Sequence, residues 1–282
     1  MKSRLCLLRS EFPTLPMKIT ALMACHNRRE KTLACLRSLA AQKPCSAELA
    51  KILVDDGSCD GTAEAVTSKY PEVRILSGDG SLYWCGAMRM GWKAAAEDDP
   101  DYYLLVNDDT TLYPDAVETL VQTARDYADA AIVVGAICDP DTGQISYGGV
   151  HQNGGLIKAN GTAESCYTFN ANCALIPRAV YRSRGIFYHC FTHGLGDFDY
   201  GIQATRRGIK VIQTGRHVGT CKDNPVTGTW SDRSLSRRKR LQLLQSPKGL
   251  PVKEWFEFNR RNSGWLWPLY FVSPFYRILL GR

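Results

Sequence analysis

The chain has 282 residues, 44% of them hydrophobic and 22% charged, enough apolar material for one large domain or one domain with an appendage, and too much for disorder to be the default state. Its formal charge of +7 is uneven: residues 1–205 hold 19 Lys/Arg against 24 Asp/Glu, a net −5, and residues 206–282 hold 16 against 4, a net +12. Eleven cysteines, an odd number without a Cys-x-x-Cys pair and several in apolar surroundings, read as reduced, small apolar residues of a cytosolic chain.

Residues 1–16 read as a short extension, and the apolar run at 5–8 is too short for a signal peptide. The run Ile19-Thr20-Ala21-Leu22-Met23-Ala24 predicts a buried strand ending in Cys25-His26-Asn27. Leu33, Leu36, Leu39 and Ala40 then recur at helical spacing over residues 29–42. A second strand, 51–54, ends in Asp55-Asp56-Gly57-Ser58, and Asp60-Gly61-Thr62 opens a helix to about residue 69. A third strand covers 73–76, a helix 86–97, and a fourth strand 102–106, ending in Asn107-Asp108-Asp109. Pro114 suits the first turn of a helix to residue 127, and a fifth strand covers 131–135.

Strands alternating with helices over this stretch predict an α/β fold, a mostly parallel sheet with helices on both faces. Ligands of such sheets bind beyond the carboxyl ends of the strands, where the polar and acidic residues collect. After residue 135 the pattern changes. A hairpin turn lies at 139–143, a loop over 150–165, a short strand over 172–176, a helix within 194–208 and a strand over 210–213.

Four constellations carry chemistry. Asp55 and Asp56 at a strand end can accept hydrogen bonds from a nucleobase or ribose, turn and cap duty being the alternative. Asp108 beside Asp109 after a buried strand repel each other and call for a cation, which a hard divalent ion shared with donor phosphates supplies. Asp197, in Gly196-Asp197-Phe198-Asp199, can deprotonate a hydroxyl at the mouth of a site, or simply favour a helix N-terminus. His217, just past a strand, can complete a metal site, or be structural.

Together, Ala24-Cys25-His26-Asn27-Arg28, Val54-Asp55-Asp56-Gly57-Ser58-x-Asp60-Gly61-Thr62, Asn107-Asp108-Asp109 and Gly196-Asp197-Phe198-Asp199 resemble family 2 glycosyltransferases of the GT-A (Rossmann-like) fold, over roughly residues 17–220. The resemblance is to bacterial rhamnosyltransferase-like enzymes of surface glycans, and it implies an inverting, metal-dependent hexosyltransferase. It implies that Asn27, Asp55 and Asp56 hold the base and ribose, with Asn107, Asp108 and Trp84 near the donor. Asp109 and His217 then bind Mg²⁺ or Mn²⁺, and Asp197 is the general base. Asn107 stands where the family has the first Asp of Asp-x-Asp, and Gly196 where it has Glu. The donor is a UDP-, dTDP- or GDP-sugar, rhamnose by analogy, and the acceptor a glycan or lipid-linked hydroxyl.

These readings divide the chain into the extension 1–16, a catalytic domain 17–230 and a basic, aromatic segment 231–282. The last contains five basic residues within 233–240 and an apolar run over 265–276, too short and too interrupted by Pro268 and Pro274 to span a bilayer. Trp and Tyr beside Lys and Arg suit a membrane interface, which places the chain peripherally on the inner face of the cell membrane. Packing on the catalytic domain and a homodimer contact are the alternatives. Two other functions compete: a non-catalytic membrane-associated partner on the same scaffold, and a sugar nucleotidylyltransferase, which would want a Gly-rich basic loop after the first strand. Nucleic acid is not an expected partner, since no recognition motif organises the basic residues.

Overall fold

The computed structural model describes residues 16–43 and 47–281. The expected N-terminal extension lies, up to residue 15, outside the described residues. In the front of the chain β1 (Met17–Cys25), α1 (Arg29–Ala40), β2 (Ala47–Asp55), α2 (Thr62–Lys69), β3 (Arg74–Ser77), α3 (Tyr83–Ala96) and β4 (Tyr102–Val106) alternate as expected. There follow β5 (Thr111–Leu112), α4 (Ala116–Asp126), β6 (Ile132–Cys138) and its hairpin partner β7 (Ile145–Tyr147). Short strands β8 (Gly149–Val150), β9 (Glu164–Ser165) and β10 (Thr168–Phe169) lead to β11 (Cys173–Pro177), α5 (Arg178–Arg184), α6 (Gly196–Arg206) and β12 (Val211–Thr220). The chain then turns helical: α7 (Arg237–Leu244), α8 (Val252–Asn262), a 3₁₀ turn and α9 (Trp267–Leu279).

The main sheet runs β3-β2-β1-β4-β11-β6-β12-β5. β1 is parallel to β2 and β4, β2 to β3, and β6 to β12. β11 is antiparallel to both its neighbours, β4 and β6. The strand expected at 131–135 therefore does not sit beside β4. After β6 the chain folds back in a hairpin, pairs β9 with Ile212 and Gln213 near the amino end of β12, and returns to the carboxyl edge. It enters β11 from that edge, so β11 must run backwards. This brings Asn172, just before β11, level with the end of β4, where its carbonyl accepts the Asn107 N–H at 3.1 Å.

Side chains of β1 alternate, as a period of two requires. Ile19, Ala21 and Met23 join Leu36, Leu39 and Leu120 on the α1/α4 face. Leu22 and Ala24 join Met88, Trp92 and Tyr200 on the α3/α6 face. Both faces are covered, which is why the strands read as unbroken apolar runs. Helix α3 approaches so closely that a Cβ at Gly91 would lie 3.1 Å from Val54 Cγ2.

Helix α8 is fastened to this body by a buried ion pair. Asp199, fully buried on α6, accepts from Arg261 Nε at 2.8 Å, Arg261 Nη2 at 3.0 Å and Asn262 Nδ2 at 2.9 Å. Arg206, in the last turn of α6, donates to the Arg261 and Asn262 carbonyls at the end of α8, where the helix dipole favours a cation.

Candidate active site

A cleft of about 550 Å³ opens at the carboxyl edge of β1, β2 and β4, opposite the start of α6. Two adjacent loops hold its floor. His26 Nδ1 donates to the Asp56 carbonyl at 2.6 Å, joining the ends of β1 and β2. The Asp56 carboxylate caps the start of α3, with Oδ1 accepting from Gly80 N at 2.9 Å and Leu82 N at 3.3 Å and Oδ2 from Tyr83 N at 2.9 Å. Those N–H groups belong to the loop before α3 and to its first residue, and a carboxylate there is favoured twice, by hydrogen bonding and by the dipole. Tyr83 lines the cleft at φ 51°, and Leu195, next to the lining residue Gly194, has φ 69°. Left-handed backbone in such non-glycine residues is held only where the surroundings enforce it, commonly at sites.

Asn107 and Trp84 form a second wall, the indole N–H donating to Asn107 Oδ1 at 2.8 Å. Beside them Asp108 and Asp109 are bridged by one guanidinium: Arg28 Nη1 to Asp108 Oδ1 at 3.0 Å and Nη2 to Asp109 Oδ2 at 2.5 Å. Lys31 adds a longer contact to Asp109, 3.8 Å. Burial pushes the Asp108 carboxyl up to about 7, against Arg28 and with Asp109 adding to the rise. Its side chain is 4% exposed and that of Asp109 14%, so Asp109 is the more reachable of the two.

Across the cleft Asp197 starts α6, its Oδ2 accepting from Ala171 N at 3.1 Å and its Oδ1 from Phe198 N at 2.9 Å. Burial lifts its carboxyl to about 6, with those N–H groups opposing the rise. The next loop adds His193, whose Nδ1 is buried without a hydrogen-bond partner among the described residues. Burial first, then the charge of Lys248, holds this imidazole down at about 4, so it is neutral near pH 7. Three anchors fix the loop: Cys85 N to the Thr192 carbonyl at 3.0 Å, Arg89 Nη1 to the Phe191 carbonyl at 2.6 Å, and Thr192 N to Glu254 Oε2 of α8 at 3.0 Å.

Of the residues singled out in the sequence, Asp56, Trp84, Asn107, Asp108, Asp109 and Asp197 line this one cleft. Asn27, Asp55 and His217 do not. Asn27 Oδ1 accepts from Cys59 N at 2.7 Å and Asp55 Oδ1 from Ser58 N at 2.9 Å, local bonds that shape the loops. His217 pairs with Ala136 inside β12, a strand longer than the expected 210–213 and bulged on either side of that residue. Among the described residues no three of His, Cys, Asp and Glu gather to enclose a metal. What the cleft offers a divalent ion is Asp109, with room for phosphate and water oxygens, a donor set that Mg²⁺ accepts. Sequence reasoning gave no role to Arg28, His193, Lys248 or Glu254. Arg28 alone carried a readable signal, a cation at the end of the strand beside a carboxylate pair.

A mostly parallel sheet with an acidic cleft at its carboxyl edge is the GT-A class of glycosyltransferase folds. The family model for glycosyl transferase family 2 matches residues 20–185, more than half of the chain, and the chain belongs to that family. It is 32% identical over 120 residues to an N-acetylglucosaminyl-diphospho-decaprenol L-rhamnosyltransferase of Mycobacterium tuberculosis (strain ATCC 25618 / H37Rv), the match covering 40% of this chain and 38% of that protein. Among solved structures, the mannosyltransferase PcManGT from Pyrobaculum calidifontis, in complex with GDP-Man and Mn²⁺, superposes with a TM-score of 0.59 at 16% identity, over 95% of this chain and 71% of that one. S. aureus TarS 1–349 in complex with UDP-GlcNAc does so with a TM-score of 0.59 at 14% identity, over 94% and 81%. At such identities these two likenesses concern the fold.

Proposed function

We propose that the protein is an inverting, metal-dependent glycosyltransferase. It moves a sugar from a nucleoside-diphosphate donor to a hydroxyl of a glycan or lipid-linked acceptor in surface polysaccharide synthesis, at the inner face of the cell membrane. The observation that carries this reading is Asp197, a carboxylate fixed by two backbone N–H groups and held near neutrality in the same cleft as Asp109.

Asp197 takes the proton of the acceptor hydroxyl, a role that suits a base titrating about one unit below neutral pH. The acceptor oxygen forms its bond to the anomeric carbon from the face opposite the nucleotide. The bond from that carbon to the diphosphate oxygen breaks, the electron pair leaves with the nucleoside diphosphate, and the configuration inverts. Asp109 would hold Mg²⁺ or Mn²⁺ together with the donor phosphates, and the ion when bound would offset charge growing on the leaving group. Arg28 and Lys248 bring fixed positive charge to the same cleft. The name of the mycobacterial relative supports rhamnose as the sugar and a lipid diphosphate as the acceptor's carrier.

The test is a thermal-shift panel of UDP-, dTDP- and GDP-sugars, each with Mn²⁺ and with EDTA. A donor at a hundred times its Kd adds about 2.7 kcal/mol, or about 5–10 °C for a chain of this size. One nucleotide class should give that shift, and EDTA or Asp109→Ala should remove it. Folded protein that shifts with no donor would sink the reading and favour a non-catalytic partner.

A further inference from the structure

Helix α9 is apolar on both of its faces. On one, Trp267, Phe271, Pro274 and Ile278 recur every three or four residues and turn inward. Phe256 of α8 meets the rings of Trp267 and Phe271 at 5.1 and 5.8 Å, and Trp255 Nε1 donates to the Phe271 carbonyl at 3.0 Å. On the other, Leu269, Val272, Tyr276 and Leu279 repeat the spacing and are 66%, 50%, 62% and 57% exposed. Trp265, 86% exposed, stands just before them. A helix lying on a protein surface normally turns polar residues outward, and one that is apolar all round needs cover on both sides. Seven of the twelve large hydrophobic residues exposed among the described residues fall within 265–280, so this is a patch rather than scatter.

The charge around the patch says what covers it. Helix α7 packs on α9 and presents Arg237, Arg238 and Lys239 to solvent, with no carboxylate within 4.0 Å among the described residues. Arg237 reaches the far end of α9, 3.8 Å from where a Cβ on Gly281 would stand. Between residues 234 and 281 the acidic residues are Glu254 and Glu257, engaged by Thr192 N and by Arg260. A second copy docking face to face would bring these cations together. A bilayer with acidic headgroups meets both features, apolar side chains in the acyl boundary and cations at the phosphates. Trp and Tyr are the residues that settle at that boundary. The thirteen residues of α9 reach about 20 Å, short of the ~30 Å hydrocarbon core, and no described helix is long and apolar enough to cross it.

We infer that α7 and α9 form a docking face for an anionic lipid bilayer, with α9 lying in the interface plane. Helix α8 joins this face to the cleft, through Glu254 to the His193 loop and through Arg261 to α6, the helix that carries Asp197 in its first turn. A docked chain therefore holds its cleft at a fixed attitude to the membrane. Only the use of that attitude, to meet a lipid-linked acceptor, rests on the transferase reading.

The experiment is flotation of the full chain with phosphatidylcholine vesicles, with and without phosphatidylglycerol. The wild type should float with the anionic vesicles. Arg237→Ser/Arg238→Ser/Lys239→Ser should partition on the order of 100-fold more weakly, three cations being removed from the surface. Leu269→Asp/Tyr276→Asp, at positions that give up exposed surface, should not float at all. Both variants should melt like the wild type and respond to nucleotide sugars as it does, so failure of the donor site would show as loss of that response with flotation intact. A wild type that stays with the pellet overturns the inference. So does equal flotation of the triple variant, or a dimer in sedimentation velocity that Leu269→Asp/Tyr276→Asp dissolves.

Discussion

Replacing Asp197 by Asn separates its proposed chemistry from its structural duty, because the two respond oppositely to pH. The amide keeps the shape and one acceptor for the Ala171 and Phe198 N–H groups, so it gives up about one hydrogen bond, roughly 1 kcal/mol. Against this, the wild-type carboxyl has its folded value raised by burial from 3.8 to about 6. Such a group contributes stability that is fully present below the unfolded value and is lost as pH rises through the folded one. Between pH 4.5 and 7.5 the wild type should therefore lose about 2 kcal/mol from this group that the variant does not lose. The variant should be close to wild type in stability near pH 4.5 and more stable near pH 7.5, with a relative gain in Tm of about 5 °C. Its transfer rate should fall by roughly 10²–10⁴, the loss expected when a general base is removed, while donor-induced thermal shifts persist. The assay is a pair of pH series, calorimetric unfolding and release of nucleoside diphosphate. In the wild type, release should rise with pH through about 6. A variant that keeps its rate, or a stability difference flat across the series, would refute the reasoning.

Two further perturbations probe the tie between cleft and C-terminal helices. Asp199→Ala removes the partner of Arg261 and leaves buried positive charge behind, so the urea midpoint should report a loss of about 3–5 kcal/mol; a loss below about 1 kcal/mol would mean α8 is held by other contacts. Lys248→Met removes a cation that presses on His193, so an NMR titration should place that imidazole higher than in the wild type, and donor binding should weaken roughly tenfold; no change in either would show that Lys248 does not act in the cleft.

The strands of the front half were legible because their apolar runs end in polar residues at one edge, a pattern packing alone does not produce. The direction of β11 was not, since it depends on which edge the chain stands at after β6. Helix α3 begins at Tyr83 rather than near residue 86 because its cap, Asp56, comes from a strand far back in the sequence. Helix α5 did leave a local trace, a proline before it, Arg182 and Arg184 in its last turn and Gly185 at φ 71° after it. At the site, adjacent residues of one motif part ways. Asp56 reaches the cleft while Asp55 bonds Ser58 N, because successive side chains leaving a strand point in opposite directions. Arg28 illustrates the opposite case: the repulsion of Asp108 and Asp109 told of a cation, and the nearest one is supplied by the chain itself.

In the C-terminal segment one face of α9 packs on the chain and the other stays exposed. An amphipathic helix has one apolar face, and its burial would exhaust the segment's hydrophobic content. Helix α9 carries two such stripes, offset around its axis, and only the inner one is covered by α7 and α8. Helix α8 is different in kind. Beside the Phe258–Phe191 ring contact it makes polar ones with the body, Glu254 to Thr192 and Arg261 to Asp199, and these resist sliding because any shift leaves a charge unpaired. The segment thus grades from rigid attachment at the cleft to an uncovered apolar stripe at its far side. A helix pair arranged this way transmits the orientation of whatever α9 rests on to the wall that carries Asp197.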